Sequence, residues 1–246
     1  MGTYTITKEQ QQEMLDTFKE TLARYKFNWI ELRTIMMATG AVISGSMALA
    51  VLFGGEFVSQ DLDIYVNDRG MARILIFLMN HGYQIVTPRP GHALEKKYLA
   101  SKIILTLKRD NGEKIDVIGT TDHVLATIMD FHSTVVMNYI SSYGIVSLYP
   151  EWTMRKNGLV NTRNIPWKIL AKYQARGFNV AYTTAELAKY DAHHVCREHI
   201  CCPKLKRYLR DGQSLFIPFD MATDICKLED IDERWILREV GECRKQ

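Results

Sequence analysis

Between Thr34 and Gly55 the chain runs 22 residues without a charged side chain. A stretch that long is either a bilayer-spanning helix or the buried centre of a folded core. Its composition decides between them. Gly40, Gly45, Gly54 and Gly55, with Ser44 and Ser46, divide it into the short apolar runs AVIS and MALAVLF. That is the pattern of a buried strand, a glycine turn and a short buried helix, so no membrane partner is expected.

A chain of 246 residues has the mass to bury such a centre, as one large domain or two small ones. Apolar residues make up 47% and charged residues 24%, which excludes disordered, collagen-like and low-complexity classes. The net charge of +3 is too small a surplus to mark a nucleic-acid protein by itself. The opening MGTYTITKEQQQEML lacks the basic and apolar regions of a secretory signal, so a cytoplasmic or nuclear location is expected rather than secretion.

Residues 8–25 place Met14, Leu15, Phe18, Leu22 and Tyr25 at helical spacing, and a second helix is expected over 28–38. A strand over 41–44, a Gly45-Ser46 turn and a helix over 47–53 follow, then a strand over 61–66, a helix over 70–80 and a strand over 83–86. Two alternating runs, 102–109 and 113–119, flank Asp110-Asn111-Gly112 and predict a hairpin. A helix capped by Thr120 or Thr121 comes next, and further helices are expected over 167–177 and 184–190. The expected organisation is an N-terminal helical segment (1–40), a core (41–131) and a mainly helical C-terminal part (132–246).

Asp61 and Asp63 flank Leu62 in a strand, so both carboxylates share one face. Neighbouring like charges repel unless a cation lies between them, and a divalent metal supplies that compensation. Asp116 sits between Ile115 and Val117 in the middle of the hairpin's second strand, where an acid is costly without a partner. If the two strands are neighbours, three carboxylates converge on a site able to hold two metals, as phosphoryl and nucleotidyl transfer require. Upstream, Gly45 allows close approach of a phosphate to the chain at a strand-to-helix turn, and Ser46 adds a hydroxyl donor.

The run ISGSMALAVLFGGEFVSQDLDIYV, followed by the lone Asp116, resembles the signature of the nucleotidyltransferase superfamily with the DNA polymerase beta-like fold. The resemblance spans residues 41–119. It implies an α+β (α/β) fold in which a mixed sheet is flanked by helices. It also implies that Gly45 and Ser46 contact the nucleotide phosphates, that Asp61 and Asp63 bind Mg2+ or Mn2+, and that Asp116, a further ligand, helps activate the acceptor. An NTP is then the donor, and RNA, a protein side chain or a small molecule the acceptor. The 14 residues between Ser46 and Asp61 predict an extended loop after the short helix. The segments STVVMNYIS, LYPEWT and KYQARGF are similar to a fungal branch of the same fold and imply no substrate. Two alternatives remain: a non-catalytic nucleotide- or RNA-binding protein of this fold, and a glycosyltransferase using Asp-X-Asp. Against the second, Phe57-Val58-Ser59-Gln60 reads as a loop rather than a hydrophobic strand.

Five cysteines, an odd number, crowd toward the C-terminus and argue against a disulfide framework. Cys196, His199, Cys201 and Cys202 offer ligands for a structural Zn2+, completed by His193, His194, Cys226 or Cys243. Buried thiols and a local disulfide are the alternatives, and a third functional class, a zinc-stabilised interaction protein, goes with the cluster. Directly after it, PKLKRYLRDG reads as a basic helix face, either solvated or gripping a polyanion such as RNA.

Overall fold

Along residues 61–67, Leu62, Ile64 and Val66 enter one apolar layer while Tyr65 enters another, so the strand is buried on both faces. The whole fold is organised around that double burial. The protein is represented by a computed structural model describing residues 4–86, 101–121, 123–162, 165–187, 197–198, 202–220 and 234–237. In chain order the first elements are α1 (Lys8–Arg24), α2 (Trp29–Thr39), β1 (Val42–Ser44), α3 (Ser46–Leu52), β2 (Asp61–Asn67), α4 (Asp68–Asn80) and β3 (Gln84–Ile85). The hairpin β4 (Ser101–Lys108) and β5 (Lys114–Thr120) follows, then α5 (Val124–Met129), β6 (Asn138–Ile140), β7 (Gly144–Ser147), α6 (Pro150–Thr153) and β8 (Asn157–Leu159). The last described elements are α7 (Trp167–Gln174), β9 (Asn179–Ala181), β10 (Arg207–Tyr208), β11 (Leu215–Pro218) and β12 (Arg234–Trp235).

Eight strands form one mixed sheet in the order β11-β7-β6-β1-β2-β5-β4-β3. β2 and β5 are parallel, and the other neighbours in this sheet run antiparallel. On one face, Met14, Phe18 and Leu22 of α1, Leu32 and Met36 of α2, Ala48 and Val51 of α3 and Ile74 and Leu78 of α4 pack on Ile43, Ile64 and Val117. On the other, α5, Trp152 of α6, Tyr173 of α7, Leu159 of β8 and Val180 of β9 close over Val42, Tyr65, Ile118 and Tyr139. The fold is thus the expected mixed sheet flanked by helices.

Local chemistry explains most of the boundaries. Thr7 and Gln10 form a reciprocal capping box at the start of α1. The Asn28 side chain caps α2, which ends at Gly40 in the left-handed region (φ 65°). The uncharged run becomes the end of α2, β1 and α3, and all seven residues of α3 are buried. Among the described residues no helix is long and apolar enough to cross a membrane.

Several expectations are corrected. The cap of α5 is His123, whose Nδ1 accepts from the Leu125 N–H at 3.3 Å. Thr120 is still paired with Asn67 and Ser101 as strand, so it has no freedom to cap. The expected helix over 184–190 is a 3-10 turn at Thr184–Glu186, and positions 188–190 lie outside the described residues. The C-terminal part is not mainly helical among the described residues. β6 pairs with the free edge of β1, β7 with β6 and β11 with β7, so three strands of this part extend the main sheet.

PKLKRYLRDG is likewise not a helix. Its Arg207 lies in β10 and is only 1% exposed, ion-paired with Asp211 and set over the rings of Tyr149 at 4.9 Å and Trp235 at 5.3 Å. That interior role withdraws Arg207 from the basic set, while Lys206 and Arg210 stay exposed. Removing the partner of a buried charge is costly, so Asp211→Ala is expected to lower stability in urea by about 3–5 kcal/mol. Lys206→Ala, on the exposed side of the same segment, should stay within about 0.5 kcal/mol of wild type.

Candidate metal centre

The parallel pairing of β2 with β5 sets Asp63 directly opposite Asp116 and Asp61 opposite Lys114. One carboxylate oxygen from each of Asp61, Asp63 and Asp116 lies within 4.8 Å of the others. At that separation two unit charges repel by roughly 3 kcal/mol at an effective dielectric constant of about 20, so the triad needs cationic compensation. The three acids expected to converge do converge. Asp116 is 3% exposed, and it tolerates burial because Thr106 Oγ1 donates to its Oδ1 at 2.6 Å and Lys114 Nζ to its Oδ2 at 2.6 Å. Lys114 Nζ also stands 3.5 Å from Asp61 Oδ2. Burial opposes the charge on Lys114, but the hydrogen bond and charge of Asp116, then the charges of Asp61 and Asp63, outweigh it and raise its pKa.

Gly45 makes the triad possible. Register pairs Ser44 with Asp63, and Gly45 then turns the chain into α3 with φ 72°. A Cβ at this position would stand 2.6 Å from Asp63 Oδ2. Only glycine leaves that oxygen its room. Hard oxygen donors in a cluster of this size suit Mg2+ or Mn2+, with Asp61, Asp63 and Asp116 as the ligands available.

Ser46 begins α3 beside the triad, and its Oγ shares a 2.8 Å hydrogen bond with Ser59 Oγ. Ser59 in turn donates to the Asp61 carbonyl at 2.9 Å, and its own carbonyl accepts from Arg24 Nη1 of α1 at 2.8 Å. The extended loop after α3 is therefore held at its exit, where β2 begins.

The far wall comes from α7, the turn after it and His132, which sequence reasoning did not connect to the site. Lys172 Nζ reaches to 3.5 Å from Ser46 Oγ. Arg176 lies 4.5 Å over the Phe57 ring and 5.7 Å from that of Tyr173, and burial lowers its pKa against the opposing influence of Tyr173 and Asp61. His132 packs against Tyr173 with ring centres 5.6 Å apart, and its buried Nδ1 has no hydrogen-bond partner among the described residues. Burial first, and the charge of Lys172 second, depress the His132 pKa from 6.5 to about 4.

Of the proposed zinc ligands, Cys196, His199 and Cys201 lie outside the described residues, as do His193, His194, Cys226 and Cys243. Cys202 is buried, and its Sγ accepts from the Arg197 backbone N–H at 3.2 Å.

No protein-family model matches the chain, and no curated protein matches it. Among solved structures the chain is similar to apo form I of a CCA-adding enzyme, at 14% identity and a TM-score of 0.39. The match covers 61% of this chain but only 39% of that one. A likeness at this level identifies no activity.

Two outcomes test this geometry. Gly45→Ala is expected to destabilise the protein by about 1–3 kcal/mol, from left-handed backbone strain and the clash with Asp63, as read by urea unfolding. His132 takes up a proton more readily unfolded than folded. Stability should therefore be full above pH 6.5 and fall progressively as the pH drops from 6.5 toward about 4. His132→Gln should flatten that part of the profile.

Proposed function

We propose that this chain is a metal-dependent nucleotidyltransferase, moving a nucleoside monophosphate from an NTP to an acceptor hydroxyl. The observation that carries the reading is the convergence of Asp61, Asp63 and Asp116 beside the Gly45-Ser46 turn, with Lys172 opposite. Carboxylates alone suit many hard-cation sites. Carboxylates next to a hydroxyl and an ammonium suit a metal–triphosphate substrate.

A divalent ion bound to the three carboxylates would lower the pKa of the acceptor hydroxyl and neutralise the triphosphate. In this scheme Ser46 and Lys172 hold non-bridging phosphate oxygens, and the missing Cβ of Gly45 lets the nucleotide come close to the chain. Asp116, its Oδ1 fixed by Thr106, receives the proton of the acceptor. The acceptor oxygen then bonds to the α-phosphorus as the bond to pyrophosphate breaks. Arg176, stacked over Phe57 and near Tyr173, adds a second cation on the wall beside Asp61.

One observation favours a second reading, a non-catalytic nucleotide-binding protein of the same fold. Lys114 already compensates Asp61 and Asp116 without any metal. Incubation with each labelled NTP, Mg2+ or Mn2+ and total RNA, with protein and small-molecule hydroxyls as further acceptors, separates the two. Transfer of label supports catalysis, and nucleotide binding without transfer supports the second reading.

Asp63→Asn is expected to abolish transfer while leaving the metal-free protein no less stable, since it removes a ligand charge and also relieves repulsion. Ser46→Ala and Lys172→Ala should each weaken NTP use by about 1.5–3 kcal/mol, the size of a hydrogen bond to a charged group. Full turnover in Asp63→Asn would overturn the assignment of the triad.

A further inference from the structure

Lys114 and Asp116 are two residues apart on β5 and so share a face, while the parallel register sets Lys114 opposite Asp61. The ammonium consequently meets Oδ2 of Asp116 at 2.6 Å and Oδ2 of Asp61 at 3.5 Å. These two oxygens belong to carboxylates that a divalent ion must also use. An ammonium and a dication crowding the same oxygens repel one another, so the two compete for them.

We propose that Lys114 is a resident counter-ion that must leave Asp61 and Asp116 before a divalent cation can bridge them. It is a positioning residue: it holds the acids in place when no metal is bound and sets the threshold for metal loading. The inference rests on the reading of the triad as a metal centre and extends it. The protein's own charge competes with the cofactor, so metal binding in the absence of nucleotide is weaker than three carboxylates alone would give. The half-buried position of Lys114 makes exchange feasible, since the ammonium can swing outward on its flexible stem while Asp116 stays buried.

The test is Mn2+ binding to the full chain without nucleotide, followed by electron paramagnetic resonance of the free ion. Lys114→Met keeps the stem and removes the charge, and it should bind Mn2+ about tenfold more tightly than wild type or more. Lys114→Arg keeps the charge and should remain weak. In chelator Lys114→Met should melt below wild type, and in saturating Mn2+ that deficit should vanish or reverse. Equal or weaker Mn2+ binding by Lys114→Met overturns the inference while leaving the metal centre intact. Absence of Mn2+ binding in both proteins overturns the metal-centre reading together with the inference.

If Lys114→Met does not fold in chelator, structures of the wild type with and without Mn2+ decide. The inference expects Lys114 Nζ to move beyond about 4 Å from Asp116 Oδ2, past ion-pair distance, when the ion is bound. Retention of the 2.6 Å contact beside a bound ion would overturn it.

Discussion

Carboxylates that face one another across adjacent strands repel, and the parallel pairing of β2 with β5 holds Asp63 against Asp116 despite that repulsion. Much of the surrounding structure compensates for this arrangement. Thr106 and Lys114 satisfy Asp116 from within the hairpin, and Gly45 withdraws a side chain from the path of Asp63. Ser59 ties the start of β2 to α3 and, through Arg24, to α1. Arg24 also approaches Glu113 at 3.6 Å, so one α1 side chain touches the segments leading into both acid-bearing strands.

The two apolar layers contribute differently to the site. The layer of α1 to α4 buries the aliphatic faces of β2 and β5, and by doing so leaves their polar faces directed to the opposite side. The layer containing α7 then closes over that polar side with a wall that is half aromatic and half cationic. His132 belongs to this wall, and its neutral ring avoids adding another charge beside Lys172. The balance is local. The three acids face Lys114 within the sheet, Lys172 of α7 stands beside Ser46, and Arg176, in the turn after α7, feels the charge of Asp61.

Much of the N-terminal half was legible from local pattern. The alternation in DLDIYV, the Asn-Gly hairpin and the amphipathic face of α1 all signal structure within windows shorter than 20 residues. The triad could be anticipated because a strand-centre acid such as Asp116 demands a partner. Lys114 was not legible as part of the site. A lysine beside a turn looks like a solvated strand end, and only the register with Asp61 brings it inward. Lys172 and Arg176 lie more than a hundred residues from Ser46, and no spacing rule links them. The C-terminal half misled for a related reason. Its strands are two to four residues long, and the three that join the main sheet are placed by an edge formed elsewhere rather than by their own periodicity. In PKLKRYLRDG, composition suggested a charged surface, whereas Arg207 owes its interior place to Tyr149 and Trp235, both distant in sequence.

The position of β1 has a consequence for how the chain reaches this state. Only three residues long, β1 is held between β2 and β6, with Ile43 and Ser44 facing Ile140 and Tyr139 across 97 and 95 positions of sequence. Contacts of such high separation carry a loop-closure cost before they return any stabilisation, and they slow folding relative to local pairings. The hairpin of β4 and β5 can assemble early. The Gly45 turn gains its second support only when residues beyond 137 arrive. During synthesis on the ribosome, the nascent chain would therefore carry an open strand edge next to the acidic cluster until β6 has emerged. That interval is when chaperone capture or misassembly through β1 has its opportunity.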